Sequence, residues 1–186
     1  MEFKTVRRVV VGHDSQGKAV ALFDGPTVPT QRSPGGNAVL NLWVTKEFPV
    51  ELSGATDKAE TKVGVPPPQN GTIFRIVEFP PTSATAVTPH GDHTRTLTAM
   101  GIDPATQGYA RHQNTHRTRS IDYAIVLDGE IDMLMDDSEV HLRPGDVLIQ
   151  QGTNHAWVNK SEKNSRVAFV LIDAEPPPAW QKGWKP

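Results

Sequence analysis

The apolar residues of this chain come in short runs rich in valine and isoleucine, each ended by proline, glycine or a polar turn. Several runs alternate apolar and polar side chains, which is the pattern of a half-buried β-strand. The strands predicted in this way cover residues 6–11, 19–23, 38–44, 72–79, 121–127, 130–135, 139–142, 147–150, 156–158 and 167–172. Many short strands with turns about every 8–12 residues indicate an all-β sandwich or barrel.

Turn-forming residues between the strands predict which of them pair. The segment Asp14–Gly17 predicts an N-terminal hairpin, and Asp128-Gly129 predicts a hairpin between the strands on either side of it. Asp136–Ser138 predicts a further turn soon afterwards. The second half of the chain is therefore expected to contain closely spaced antiparallel strands.

Three segments do not follow the strand pattern. Residues 49–70 are polar, with Pro66-Pro67-Pro68 near their end, and are predicted to form a surface loop. Residues 82–115 are irregular, with a short helix around 97–100 as one alternative. The proline-rich tail carries Trp180 and Trp184, which predicts packing on its own barrel, contact with a second subunit, or a flexible end. No linker divides the chain, so one domain over 1–186 is expected, with N-terminal strands 1–48, the loop 49–70, a barrel core 72–174 and the tail 175–186.

Composition and charge narrow the range of possible functions. The chain has no cysteine, so a disulfide or a thiolate metal site is excluded and any metal needs nitrogen and oxygen ligands. Its formal net charge of −2 gives no reason to expect nucleic acid as a partner. No apolar run is long enough for a membrane span or a signal peptide, so the cytoplasm is the expected location.

Two groups of residues in the second half of the chain are spaced like sequence motifs. The first consists of His116, Asp122 and Gly129, and Gly129 is followed by Glu130-Ile131. The second consists of a turn and strand start, a histidine and an asparagine four residues after it: Arg143-Pro144-Gly145-Asp146-Val147, His155 and Asn159. The two groups resemble the two motifs of the cupin family. The sequence departs from the family where Thr118 replaces a second histidine and Asp122 replaces a glutamate. The resemblance implies a double-stranded β-helix, the jelly-roll barrel of the cupins, with an N-terminal strand extension and a tail rich in proline and tryptophan.

The resemblance also implies a metal site inside the barrel, and strand geometry agrees with it. Alternate side chains of a strand share one face, so Asp122 and Ala124 point the same way, and the small Ala124 leaves room for a ligand. His155 and Trp157 share a face in the same manner. His116, Asp122 and His155 are therefore the predicted catalytic and metal-binding residues. Two histidines and one carboxylate suit one divalent transition metal, such as iron, zinc, manganese, nickel or cobalt, and leave coordination positions for water and substrate.

Other assignments of these residues remain open. Asp122 could cap a turn or pair with Arg119, and His116 with Asp122 could act as an acid/base pair without a metal. Thr118 could orient a bound water. The missing second histidine of the motif could be replaced from the irregular region, where the candidates are His90, His93 and His112.

Three residues near the predicted site are candidates for substrate binding. Trp157 could stack on a flat or phenolic ligand or simply pack in the core. Arg119 could bind a carboxylate or another polar oxygen, and Thr118 stands at the place of the second motif histidine.

Three functions are consistent with such a site. The first is a lyase or isomerase acting on a small polar, phenolic or polyketide-like molecule, with the metal polarising a carbonyl. The second is a non-haem Fe(II) dioxygenase, and the third is a ligand-binding barrel without catalysis. A homodimer is expected, because the N-terminal hairpin and the tail offer edges and apolar surface that need covering.

Overall fold

The computed structural model describes residues 4–180 except 28, 30, 34–35, 53 and 83–92. Within this part it contains eleven strands: β1 (Val6–His13), β2 (Ala19–Thr27), β3 (Gln31–Arg32), β4 (Ala38–Thr45), β5 (Thr72–Phe79), β6 (Ser120–Asp128), β7 (Ile131–Leu134), β8 (Glu139–Leu142), β9 (Val147–Gln151), β10 (Ala156–Val158) and β11 (Ser165–Asp173). One α-helix, α1, covers His93–Ala99. Short 3₁₀ turns lie at Lys58–Glu60, Pro104–Thr106 and Pro178–Trp180.

Two antiparallel sheets pack against each other and enclose the core. The larger sheet has the strand order β3-β4-β5-β11-β6-β9, and the smaller one has the order β10-β7-β8. Phe79 and Phe169 of the larger sheet contact Trp157 of the smaller one, with ring centroids 6.4 Å and 5.3 Å away. The predicted all-β fold of the cupin type is confirmed.

Side-chain alternation along β6 follows the prediction. Asp122 and Ala124 are buried on the inner face, whereas Tyr123 and Ile125 are exposed on the outer one. The same alternation on the neighbouring β11 buries Phe169, which is paired with Ala124 across the sheet. The inner face therefore carries both the apolar core and the predicted carboxylate.

The hairpin predicted at Asp128-Gly129 is wrong. β6 pairs with β9 and β11, whereas β7 pairs with β8 and β10, so the chain crosses from one sheet to the other at this turn. Gly129 has φ +69°, and a Cβ there would lie 2.5 Å from the carbonyl oxygen of Asn164. Glycine is needed at this corner because of both the backbone conformation and the close approach. The hairpin predicted at Asp14–Gly17 is confirmed by the pairing of β1 with β2.

The segment predicted as a surface loop, 49–70, also covers part of the barrel. Ala59 is buried in the 3₁₀ turn, and Asp57 forms a partly buried ion pair with Arg8. Further along, Val63 packs against the core. The alternative of a short helix in the irregular region is confirmed by α1, although it starts earlier in the chain than expected.

The tail packs on its own barrel as far as Trp180. The indole nitrogen of Trp180 donates a hydrogen bond to the carbonyl oxygen of Gly152 (2.9 Å), and its ring lies 4.3 Å from the guanidinium carbon of Arg117. Trp184 lies outside the described residues.

Apolar side chains remain exposed on the outer face of β6 and β9, including Tyr123, Ile125 and Ile149. The expected homodimer stays a prediction. In the described part of the chain, no helix is long and apolar enough to cross a membrane.

Candidate active site in the barrel

A cavity of about 330 Å³ lies between the two sheets and reaches the predicted site residues. Its apolar wall contains the rings of Phe79, Trp157 and Phe169, and its polar groups include Arg75, His116, Asp122 and His155. A mostly apolar cavity with a few convergent polar groups is the usual form of a small-molecule site.

The backbone brings the two predicted histidines together. His116, before β6, and His155, before β10, form an isolated antiparallel bridge with hydrogen bonds of 2.8 Å and 2.9 Å between their backbone amides and carbonyls. Their ring centroids are consequently 4.5 Å apart. The sequence separates these residues widely, and the contact between the two sheets joins them.

Each imidazole is held through its Nδ1 atom. Nδ1 of His116 lies 2.8 Å from the carbonyl oxygen of Asn114, and Nδ1 of His155 lies 3.0 Å from that of Thr153. A carbonyl oxygen only accepts hydrogen bonds, so these contacts favour the tautomer with the proton on Nδ1. The side-chain nitrogen of Gln150 also lies 2.9 Å from Nδ1 of His155. Because this nitrogen only donates, the two neighbours of His155 favour opposite tautomers of its ring. Within the described residues neither Nε2 has a hydrogen-bond partner, so this nitrogen is left to bind a ligand or a metal.

Burial keeps both rings neutral. Loss of solvation, together with the nearby His116, lowers the pKa of His155 to about 3, although the hydrogen bond to the Thr153 carbonyl opposes the shift. Burial lowers the pKa of His116 as well. Two neutral imidazoles can coordinate a metal at physiological pH.

Asp122 lies in the same cavity and is held by a short chain of hydroxyl groups. The hydroxyl of Ser120 donates to Oδ1 of Asp122 at 2.6 Å and lies 2.8 Å from the hydroxyl of Thr118. Burial raises the pKa of Asp122 to about 6, although the Ser120 hydrogen bond and the charge of Arg75 both lower it. Asp122 can therefore exist in either protonation state near neutral pH.

The structure separates the three predicted substrate contacts. Trp157 lines the cavity, whereas Thr118 is buried behind Ser120 and does not reach it. Arg119 lies outside the cavity and forms an ion pair with Asp173 (3.1 Å). Its neighbour Ser120 faces inward, so strand alternation turns Arg119 to the other side. Trp157 alone of the three lines the cavity, and the assignment of the three residues to substrate binding stays a prediction.

Of the two candidates for the missing motif histidine that the structure describes, His93 is the one that acts on His116. It opens α1, and a charge on its ring would lower the pKa of His116. Its Nδ1 lies 3.0 Å from the carbonyl oxygen of Gln113, and its buried Nε2 has no hydrogen-bond partner in the described part of the chain. His112 instead accepts a hydrogen bond from the backbone amide of Asn114 through Nδ1 (3.2 Å). His90 is outside the described residues.

The donor atoms fit a divalent transition metal in part. Imidazoles fixed through Nδ1 to backbone carbonyls, with Nε2 left over, are the arrangement found around metal-binding histidines. Across the described ranges, however, no group of three or more histidine, aspartate or glutamate side chains lies close enough together to hold a metal ion. The triad of His116, Asp122 and His155 therefore stays a prediction.

Arg75, a buried cation of the cavity, is not part of either sequence motif. It lies in the middle of the apolar strand β5 and shares the inner face with Ile73 and Val77. A charged residue at an inward position of an apolar strand was the available signal, because such positions are rarely charged without a partner. The pairing of Arg75 with Phe169 places it on the wall of the cavity.

Histidines and a carboxylate enclosed in a jelly-roll barrel are typical of cupins, and comparison with known proteins agrees with this class. The model of the cupin domain family matches residues 100–172. The oryzines biosynthesis cluster protein J of Aspergillus oryzae is 38% identical over 183 residues, covering 94% of this chain and 87% of that protein. The chain belongs to the cupin family, with a type-2 cupin domain.

Two further comparisons extend over most of the chain. The cupin-domain-containing oxidoreductase virC of Hypocrea virens is 29% identical over 180 residues, or 93% of this chain and 78% of that protein. The cupin domain of Cnp3 from Schizosaccharomyces pombe covers 90% of this chain and 87% of its own, with a TM-score of 0.45 and 12% identity.

Proposed function

We propose that this cupin is a metal-dependent enzyme of secondary metabolism that catalyses a lyase or isomerase reaction on a small molecule. The observation that carries the proposal is the meeting of two neutral imidazoles and a protonatable carboxylate in one small cavity with an aromatic wall. The name of the Aspergillus oryzae relative, a biosynthesis cluster protein, supports a role in secondary metabolism.

The proposal assigns metal binding to His116, His155 and Asp122. A bound divalent metal would supply Lewis-acid polarisation of a carbonyl or hydroxyl oxygen of the substrate. The support comes from the free Nε2 atoms of the two histidines and from the carboxylate in the same cavity.

The residues of the chain have separate tasks in this proposal. When it does not coordinate a metal, Asp122 can give or take a proton, because its carboxyl group is buried and protonatable near neutral pH. The hydroxyl of Ser120 holds that carboxyl group in place. Phe79, Trp157 and Phe169 exclude water and pack against a flat substrate.

The test is a proton-exchange assay on the protein as purified. We would incubate it in D₂O with a panel of small phenolic and β-keto carbonyl compounds, in air and under argon, and follow mass changes by liquid chromatography and mass spectrometry. The proposal predicts deuterium incorporation, loss of water or loss of carbon dioxide for at least one compound, equally in air and argon. His155→Ala would abolish it, whereas His141→Ala would not, since His141 lies on β8 outside the cavity. No turnover of any compound by the wild type would favour a binding barrel without catalysis.

A second candidate is an oxidoreductase that uses dioxygen at the same site. The printed name of the Hypocrea virens relative, a cupin-domain-containing oxidoreductase, favours it. Two histidines and one carboxylate are also the ligand set of non-haem Fe(II) oxygenases. Turnover that occurs in air and stops under argon would select this candidate and contradict the lyase or isomerase.

A further inference from the structure

Arg75 is a buried cation that the reaction proposed above does not use. It projects from β5 into the cavity and is only 5% exposed. Burial lowers its pKa to about 10, so the guanidinium keeps its charge at neutral pH. A charge in such a place is costly unless an anion and hydrogen-bond acceptors compensate for it.

Among the described residues, hydrogen bonds satisfy only one nitrogen of this guanidinium. Nη2 donates to the carbonyl oxygens of Gly64 (2.9 Å) and Val65 (3.4 Å), which fix the orientation of the group. Nε is buried and has no partner among the described residues. Within the same residues, Nη1 has no hydrogen bond and no carboxylate forms an ion pair with Arg75. Donors therefore remain for a ligand.

Two neighbouring side chains are the possible internal partners. Asp122 is near enough for the charge of Arg75 to lower its pKa, but the two do not form an ion pair. Asn41 is paired with Arg75 across β4 and β5, and its Oδ1 is also buried without a partner in the part of the chain that the structure describes. Neither contact neutralises the guanidinium, which leaves room for an anionic group beside it.

The surroundings of Arg75 indicate what kind of molecule would carry that anionic group. Phe169 is the cross-strand neighbour of Arg75, and it contacts both Phe79 and Trp157 through ring edges, with centroids 6.3 Å and 5.3 Å away. A planar apolar body would fit against these rings while a carboxylate reaches the guanidinium. The volume of about 330 Å³ is at the small end for ligand sites, which restricts the ligand to a compact molecule.

We propose that Arg75 is a substrate-binding residue that takes the carboxylate of a small planar, aromatic or conjugated, acid bound in the barrel cavity. Charge-assisted hydrogen bonds from a guanidinium to a carboxylate are strong and directional, so they would both bind and orient the acid. Since the assignment rests on the proposed function, which makes the cavity the substrate site, its test measures equilibrium binding and involves no turnover.

The experiment compares two probes of the same shape, benzoate and neutral benzamide, by isothermal titration calorimetry at pH 7.5. The wild type is expected to bind benzoate about tenfold or more tightly than benzamide. Arg75→Gln should remove this preference by weakening benzoate alone, and Arg75→Lys should retain part of it. Arg32→Gln is the matched control, because Arg32 lines the same cavity but is exposed. It should change the ratio by less than about twofold.

The titrations are repeated after treatment with a chelator, since a bound metal would also attract a carboxylate. A preference that persists after chelation and depends on Arg75 supports the assignment, even if no substrate of the enzyme is ever turned over. Equal binding of the two probes, no benzoate binding at millimolar concentration, or a preference retained in Arg75→Gln would each overturn it. If Arg75→Gln does not fold, Arg75→Lys and Arg32→Gln are compared by their ratio of benzoate to benzamide affinity. A smaller ratio in Arg75→Lys than in Arg32→Gln supports the assignment, and equal ratios overturn it.

Discussion

Replacing Asp122 by asparagine should stabilise the protein, and by an amount that grows with pH. Asp122 is 6% exposed, and its pKa lies at about 6 instead of 3.8 because burial disfavours the charged form. Asparagine has the same shape, keeps an oxygen to accept the Ser120 hydrogen bond, and does not ionise. The substitution therefore removes the cost of a buried charge with little change in packing.

The size and sign of the effect follow from the two pKa values. Between pH 3.8 and about 6 the folded protein holds the Asp122 proton more tightly than the unfolded chain does, so ionisation weakens folding as the pH rises. The cost is absent well below pH 3.8 and complete above pH 6, where two pKa units correspond to about 3 kcal/mol. At pH 4.5 about 1 kcal/mol of it is present, so the advantage of Asp122→Asn should increase by about 2 kcal/mol from pH 4.5 to pH 7.5.

Thermal unfolding of chelator-treated protein, followed by circular dichroism at pH 4.5 and 7.5, measures this difference. For a chain of this size, about 2 kcal/mol corresponds to a Tm difference that is about 4–8 °C larger at pH 7.5. Asp137→Asn is the control, since Asp137 is exposed in the turn between β7 and β8 and should show almost no such change. An advantage of Asp122→Asn that is equal at both pH values, or larger at pH 4.5, would refute the reasoning.

Three further predictions concern stability. His155→Gln should lose less stability than the wild type on acidification from pH 7.5 to 4.5, by about 3 kcal/mol, because the unfolded chain takes up a proton that the folded His155 does not bind. Thermal unfolding of chelator-treated protein at the two pH values measures this, and parallel profiles would contradict it. Gly129→Ala should cost about 2 kcal/mol or more in urea unfolding, because its Cβ would meet a backbone oxygen at 2.5 Å, whereas Gly17→Ala, with a similar φ and open space, should cost about 1 kcal/mol. Equal losses for the two glycines would exclude the close approach as the cause. Trp180→Ala should lower the free energy of urea unfolding by about 1–2 kcal/mol, because it loses the contact with Arg117 and a hydrogen bond. Trp180→Phe keeps an aromatic ring and should lose less. No loss in either variant would mean that the tail does not pack on the barrel in solution.

Local patterns in the sequence predicted the strands but not all of their partners. The inward position of Asp122 and Ala124 follows from the two-residue period of a strand, which depends only on neighbours in sequence. The turn at Asp128-Gly129 was correctly placed, yet the strands on either side join different sheets. A turn signal describes the local backbone, whereas the choice of a pairing partner depends on packing between distant segments.

The residues of the candidate site that belong to the two motifs could be predicted from their spacing in the sequence. His116 and His155 do meet, through a bridge between segments far apart in the chain. Arg119 was assigned to the substrate because it is next to the motif, but Asp173 at the end of β11 attracts it to the other face. Arg75 was overlooked because it lies outside both motifs, and only the pairing of β5 with β11 reveals that it shares their cavity.

The central claim is that His116, His155 and Asp122 bind one divalent transition metal in the barrel, and its most direct test is the metal content of the protein. The protein would be purified without chelators or metal-affinity resin and analysed by inductively coupled plasma mass spectrometry, beside His155→Ala, Asp122→Ala and the control His141→Ala. We expect about one equivalent of iron, zinc, manganese, nickel or cobalt in the wild type and in His141→Ala, and its loss in the other two variants. A folded wild type that contains no such metal, and takes up none when each ion is added singly, would contradict it.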